Sequence, residues 1–197
     1  MFLVVGPGRA QPPSDVILVL GDSLSAGYGL RPEQGWVHLL QERLRSAGYG
    51  HRVVNASSSG ETTGGALARL PRALDRPRPA IVVIELGGND GLRGLPAEGI
   101  RDNLEAMIES SRAAGARVLL VGMRIPPNYG RPYTEAFYGL YAELAREHAL
   151  PLVPFLLDGI ALDDSLMQQD GFHPNAAAQP LMLEAVWKAL EPILQAD

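Results

Sequence analysis

The sequence predicts a doubly wound α/β fold: one three-layer α/β/α domain around a five-stranded parallel sheet. Three observations point to it. The runs at 16–20, 81–86 and 118–121 are apolar and branched, broken only by Glu85, the pattern of strands buried on both faces. Between them lie stretches whose apolar residues recur at helical spacing. The two patterns alternate along the chain, which calls for parallel strands joined by right-handed helical crossovers. With 197 residues, 46% of them hydrophobic, the chain suits a single domain with a full core.

Each element follows in order. The run 16–20 ends in Gly21, Asp22 and Ser23, a tight turn that leaves a serine at a strand's carboxyl end. Trp36, Val37, Leu39, Leu40 and Leu44 then mark a helix over 35–47, stopped by Gly48. A short strand at 51–55 leads into a loop of small residues at 56–63. Leu67, Leu70 and Leu74 mark the next helix, with Pro71 as a weak point. The third strand, 81–86, ends in a glycine-rich turn at 87–91. A helix over 97–114 is followed by a fourth strand at 118–122 and a loop at 123–131 rich in Pro, Asn and Gly. A helix over 133–147 precedes a weaker fifth strand at 152–155, whose Pro154 suggests a sheet edge. An irregular stretch leads to Asp170 and His173, and a last helix runs over 176–194 through Leu181, Leu183, Val186 and Leu190. A flavodoxin-like strand order is expected. Residues 1–14 read as a leader or signal-peptide remnant and 15–197 as the domain.

Composition excludes several classes. A net charge of −5 argues against a nucleic-acid partner. Without cysteine there is no thiol nucleophile, disulfide framework or thiolate metal site. No apolar run approaches the ~20 residues of a transmembrane helix.

Four places depart from plain structural pattern: Asp22-Ser23, Ser59-Gly60, Gly88-Asn89-Asp90, and Asp170 with His173 three residues on. The first three follow strands one to three, so a parallel sheet gathers them at the edge where ligands bind. A serine hydroxyl needs a general base to act as nucleophile. Of four histidines, only His173 has a carboxylate close by on a loop at that edge: Asp170, which can orient the imidazole. His148 has a sufficient explanation in the dipole of a helix C-terminus. The backbone N–H groups of Ser23 and Gly60 and the amide of Asn89 are candidate oxyanion donors, glycine at 60 allowing close backbone approach. In isolation, Gly60 and Asn89 would be ordinary turn residues, and Asp170-His173 a helix-entry loop. Asp22 reads as a brace for the turn, through backbone N–H groups. Glu85, in an apolar strand, needs a partner, and an arginine is expected. The arginines at 69, 72, 76 and 78 read as a solvated helix end. Leu92, Leu95, Ile125, Pro126 and Phe172 are the expected walls for an acyl or aryl group.

These blocks resemble those of the SGNH hydrolases, also called GDSL esterases, especially the bacterial thioesterase I, lysophospholipase and arylesterase branch. The likeness rests on Gly21-Asp22-Ser23-Leu24-Ser25, on 55–60, on 85–94 and on 170–175, and it spans about 16–194. It implies Ser23 as nucleophile, His173 as base, Asp170 as orienting acid, and an oxyanion hole of Ser23, Gly60 and Asn89. It implies no metal or organic cofactor and a small-molecule or lipid ester as substrate. It also implies a mobile substrate loop at 91–96, and a periplasmic or secreted location, with the cytoplasm as alternative since the N-terminus lacks a normal signal peptide. The serine is not in Gly-x-Ser-x-Gly, so the usual α/β-hydrolase elbow fits poorly. No phosphate loop or dinucleotide fingerprint is present. The leading expectation is a serine esterase; a carbohydrate deacetylase using the same triad and a non-catalytic flavodoxin-like binding module are the alternatives.

Overall fold

The computed structural model describes residues 14–195. The expected leader therefore lies outside the described residues, apart from Ser14. The strands are β1 (Ser14–Gly21), β2 (Arg52–Asn55), β3 (Pro79–Glu85), β4 (Arg117–Val121) and β5 (Leu152–Val153). All pair in parallel, in the order β2-β1-β3-β4-β5, which is the expected flavodoxin-like order. The helices are α1 (Ser23–Ala26), α2 (Trp36–Ser46), α3 (Thr63–Asp75), α4 (Gly88–Leu92), α5 (Ala97–Ala113), α6 (Arg131–Glu147) and α7 (Gln179–Leu194).

The two most apolar strands occupy the middle of the sheet. Residues 17–20 of β1 and 81–84 of β3 are buried on both faces because helices cover both. On one face α2 packs on α7; on the other, α3 packs on α5 and α5 on α6. Helix faces supply the rest of the core, for example Trp36, Leu40 and Leu44 of α2 and Phe137, Tyr141 and Leu144 of α6. Each fully buried side chain of this size contributes about 1.5–3 kcal/mol. The register matters for the site. Val19 lies beside both Asn55 and Val83, and Gly21 beside Glu85. The ends of β1, β2 and β3 are therefore nearly level, and the loops that leave them share one edge.

Among the elements that differ from the sequence reading, four have a clear local cause. The 87–91 turn is in fact followed by α4, a short helix of poor intrinsic propensity held by tertiary bonds: Asp90 accepts from the Thr63 N–H at 2.9 Å and from its hydroxyl at 2.6 Å. α6 begins two residues early because Pro132 sits in its first turn, where a missing N–H costs nothing. α7 begins three residues late. Asn175 turns the chain first, its Oδ1 accepting from Ala177 N–H at 2.9 Å, and Leu181 ends up exposed rather than in the core. β5 stops at Val153, before Pro154, and is an edge strand as expected.

Candidate active site

β1 delivers Ser23 to the carboxyl edge of the sheet as the first residue of α1. Asp22 caps that helix, its Oδ1 accepting from the Leu24 N–H at 3.0 Å. Its other oxygen, Oδ2, accepts from the Asn89 amide at 3.1 Å. Asp22 is thus a brace, as the sequence suggests, and it grips a side chain as well as the backbone. It is only 2% exposed, and burial pushes its carboxyl up to about 6, against the Leu24 N–H and the nearby His173, which pull it down.

His173 comes from the loop before α7. Its Nε2 lies 3.0 Å from Ser23 Oγ, and its Nδ1 lies 2.7 Å from Asp170 Oδ2. Asp170 Oδ1 accepts from the N–H groups of Phe172 and His173 at 2.9 and 3.0 Å. Led by the His173 N–H, these bonds lower the Asp170 carboxyl to about 2. Near neutral pH it is ionised and can only accept, so Nδ1 carries the imidazole proton and Nε2 is left to accept from Ser23. Tyr28 lies against the imidazole with its ring centroid 4.4 Å away, a contact that sequence reasoning did not foresee.

The N–H groups of Ser23 and Gly60 have no acceptor among the described residues. Gly60 sits at φ +78°, and a Cβ there would meet nothing within 4 Å. The left-handed backbone, rather than crowding by the protein, is what calls for glycine. Asn89 is different: its Nδ2 donates both to Asp22 Oδ2 and to Glu61 O, the latter at 3.0 Å. The 56–61 loop is held by Arg69, which bonds Glu61 and the Ala56 carbonyl, both at 2.6 Å. Arg69 is therefore a loop brace rather than part of a solvated helix end, while Arg72 and Arg76 are exposed.

Glu85 corrects another expectation. Its partner is no arginine. Oε2 accepts from Ser25 Oγ at 2.6 Å and distantly from Asp22 N–H at 3.4 Å, and Oε1 has no partner among the described residues. Burial first, and then the Asp22 charge, raise its carboxyl well above the ordinary 4.5, which favours the protonated form. His148 does end α6, as the dipole reading has it, and its Nε2 also lies 2.9 Å from Glu105.

A cleft of about 760 Å³ opens over Ser23, Asn89, Asp170 and His173. Leu92, Ile125, Pro126 and Phe172 line it; Leu95 does not. Leu95 instead engages through its backbone, its carbonyl accepting from the Tyr133 hydroxyl at 2.5 Å. Sequence reasoning missed Met123, Arg124, Phe155, Leu162 and Met167 on the same walls. Met123 and Arg124 lie just beyond β4, after Gly122, at the ligand-binding edge, which was a usable signal. Leu162 and Met167 lie in an irregular stretch with no periodicity to reveal them.

A parallel sheet in this order, with serine, histidine and aspartate in hydrogen-bond succession at its carboxyl edge, is the architecture of a three-layer α/β/α hydrolase. The chain belongs to the GDSL-like lipase/acylhydrolase family, whose model matches residues 19–180. It is similar to the esterase TesA of Pseudomonas aeruginosa, with 53% identity over 184 residues, 93% of this chain and 92% of that one. It is 43% identical over 197 residues to thioesterase 1/protease 1/lysophospholipase L1 of Escherichia coli, covering 100% of this chain and 93% of that protein. Among solved structures, the psychrotrophic esterase EstA from Pseudoalteromonas sp., inhibited by monoethylphosphonate, superposes with a TM-score of 0.88 at 42% identity. That match covers 92% of this chain and 100% of EstA.

Proposed function

We propose that this protein is a serine ester hydrolase that cleaves carboxylic esters through an acyl-enzyme on Ser23. The observation that carries this reading is the unbroken succession Ser23 Oγ–His173–Asp170, with contacts of 3.0 and 2.7 Å. In this mechanism His173 Nε2 takes the hydroxyl proton as Ser23 Oγ attacks the acyl carbon. Asp170 holds the imidazole tautomer and stabilises the imidazolium. The carbonyl oxygen becomes an oxyanion, met by the N–H groups of Ser23 and Gly60, and each such donor is worth about 3–4 kcal/mol. The Asn89 amide joins by sharing or releasing one of its two existing acceptors. Collapse expels the alcohol or thiol, which leaves with the proton from His173. Water then attacks the acyl-enzyme with His173 again as base, releasing the acid and restoring Ser23.

The apolar walls and size of the cleft support acyl or aryl groups larger than acetyl, which argues against a deacetylase. A binding module would have no use for an oriented base beside the serine. The names of the relatives support thioesters and lysophospholipids within the substrate range. The test is Ser23→Ala: turnover of p-nitrophenyl butyrate falls on the order of 10⁶-fold, as for loss of a triad nucleophile, while the melting temperature holds. Turnover retained by the pure, folded variant would contradict the assignment.

A further inference from the structure

The loop after β4 places a cation on the wall of the cleft. Arg124 is exposed, and Met123 and Ile125 on either side of it line the same cleft. Its guanidinium carbon lies 3.9 Å from the ring centroid of Tyr138 and 5.5 Å from that of Phe155, itself a cleft residue. Among the described residues no carboxylate lies within ion-pair distance of Arg124, whereas Arg31, Arg43, Arg45, Arg69, Arg101 and Arg131 each reach one. The cleft is also lined by the carboxyl groups of Asp22 and Asp170, and the whole chain carries −5. An anion entering the cleft would otherwise meet repulsion. Contact with the two rings holds the guanidinium at the wall, and no hydrogen bond to a described residue occupies its N–H groups, which suit the paired oxygens of a phosphate.

We propose that Arg124 is a specificity-determining residue that docks a phosphate group carried by the ester substrate, away from the scissile bond. This rests on the reading of Ser23 and His173 as the hydrolytic centre. The phosphate belongs either to a lysophospholipid head or to the nucleotide portion of an acyl thioester, and matched substrates separate the two sources.

The experiment compares wild type, Arg124→Met and Arg124→Lys on two pairs with the same octanoyl chain. One pair is lysophosphatidate against monoacylglycerol; the other is acyl-CoA against the neutral N-acetylcysteamine thioester. Methionine keeps apolar cover over Tyr138 and Phe155 and removes only the charge and the donors. Arg124→Met is expected to lose about tenfold in kcat/KM on the phosphate-bearing member, mostly through KM, as loss of a charge-assisted contact predicts. The neutral member should change less than about twofold, Arg124→Lys should recover part of the loss, and added salt should raise KM for the charged substrate in wild type and Arg124→Lys but not in Arg124→Met. A loss confined to the lysophosphatidate pair assigns the lipid head; one confined to the acyl-CoA pair assigns the nucleotide. Equal losses on charged and neutral members, or no loss on either pair while neutral esters are still cleaved, overturns the phosphate dock and leaves the hydrolytic reading standing. Failure of wild type to cleave any of the four overturns both.

Discussion

Glu85 and Asp170 are two carboxyl groups whose surroundings push them in opposite directions. Asp170 is held down to about 2 by donors, the His173 N–H foremost, so its contribution to stability is complete above the ordinary 3.8 and is lost as pH falls toward 2. Glu85 is raised by burial, so the folded protein keeps its proton where the unfolded chain, at the ordinary 4.5, has given it up. Above about pH 4.5 the unfolded state binds fewer protons than the folded one, and stability falls as pH rises. Asp22, pushed up to about 6, adds a slope of the same sign that ends lower. Glu85→Gln keeps an acceptor for Ser25 and removes the titration. Between pH 5 and 8 its urea midpoint should fall less than that of wild type; identical slopes would contradict a protonated Glu85. Sequence made Glu85 conspicuous as a carboxyl in an apolar strand. It did not show the partner, because Ser25 is brought there by a single turn of helix capped by Asp22.

At the scale of elements, the junction of β3 and α4 concentrates the constraint. Gly87 has φ +111°, and a Cβ on it would lie 2.2 Å from the Tyr141 hydroxyl oxygen. That hydroxyl donates to Leu86 O at 2.9 Å from within the core face of α6. Gly87→Ala therefore combines backbone strain with loss or displacement of a buried hydrogen bond. It should cost about 3 kcal/mol, lowering the melting temperature by about 6–12 °C for a chain of this size. A shift under 2 °C in a thermal melt would count against this picture. Strands and long helices were legible here because burial on both faces or one stripe leaves a period in the sequence. α4 was not, since its glycines argue for a turn and only Asp90 bonded to Thr63 makes a helix of it. The starts of α6 and α7 were off because Pro132 and Asn175 each act through local bonding that periodicity does not record.

For the whole molecule, the strand order was legible because alternating strands and helices with right-handed crossovers leave few topologies. That order brings Ser23, Gly60 and Asn89 to one edge, which is why four short motifs spread over 150 residues could be read as one site. The walls of the cleft were only partly legible. Leu92, Ile125, Pro126 and Phe172 sit in loops whose place follows from the topology, whereas Leu162 and Met167 depend on how an irregular segment packs. The contact of Arg124 with the rings of Tyr138 and Phe155 joins two loops and a helix and has no signature along the chain. The nucleophilic role of Ser23 is tested most directly by mass spectrometry of the protein after reaction with a p-nitrophenyl alkylphosphonate. The predicted result is one phosphonyl group per chain, located on the peptide that contains Ser23, formed in step with loss of esterase activity. Complete inactivation with the group on any other residue, or full modification of Ser23 with activity intact, would contradict it.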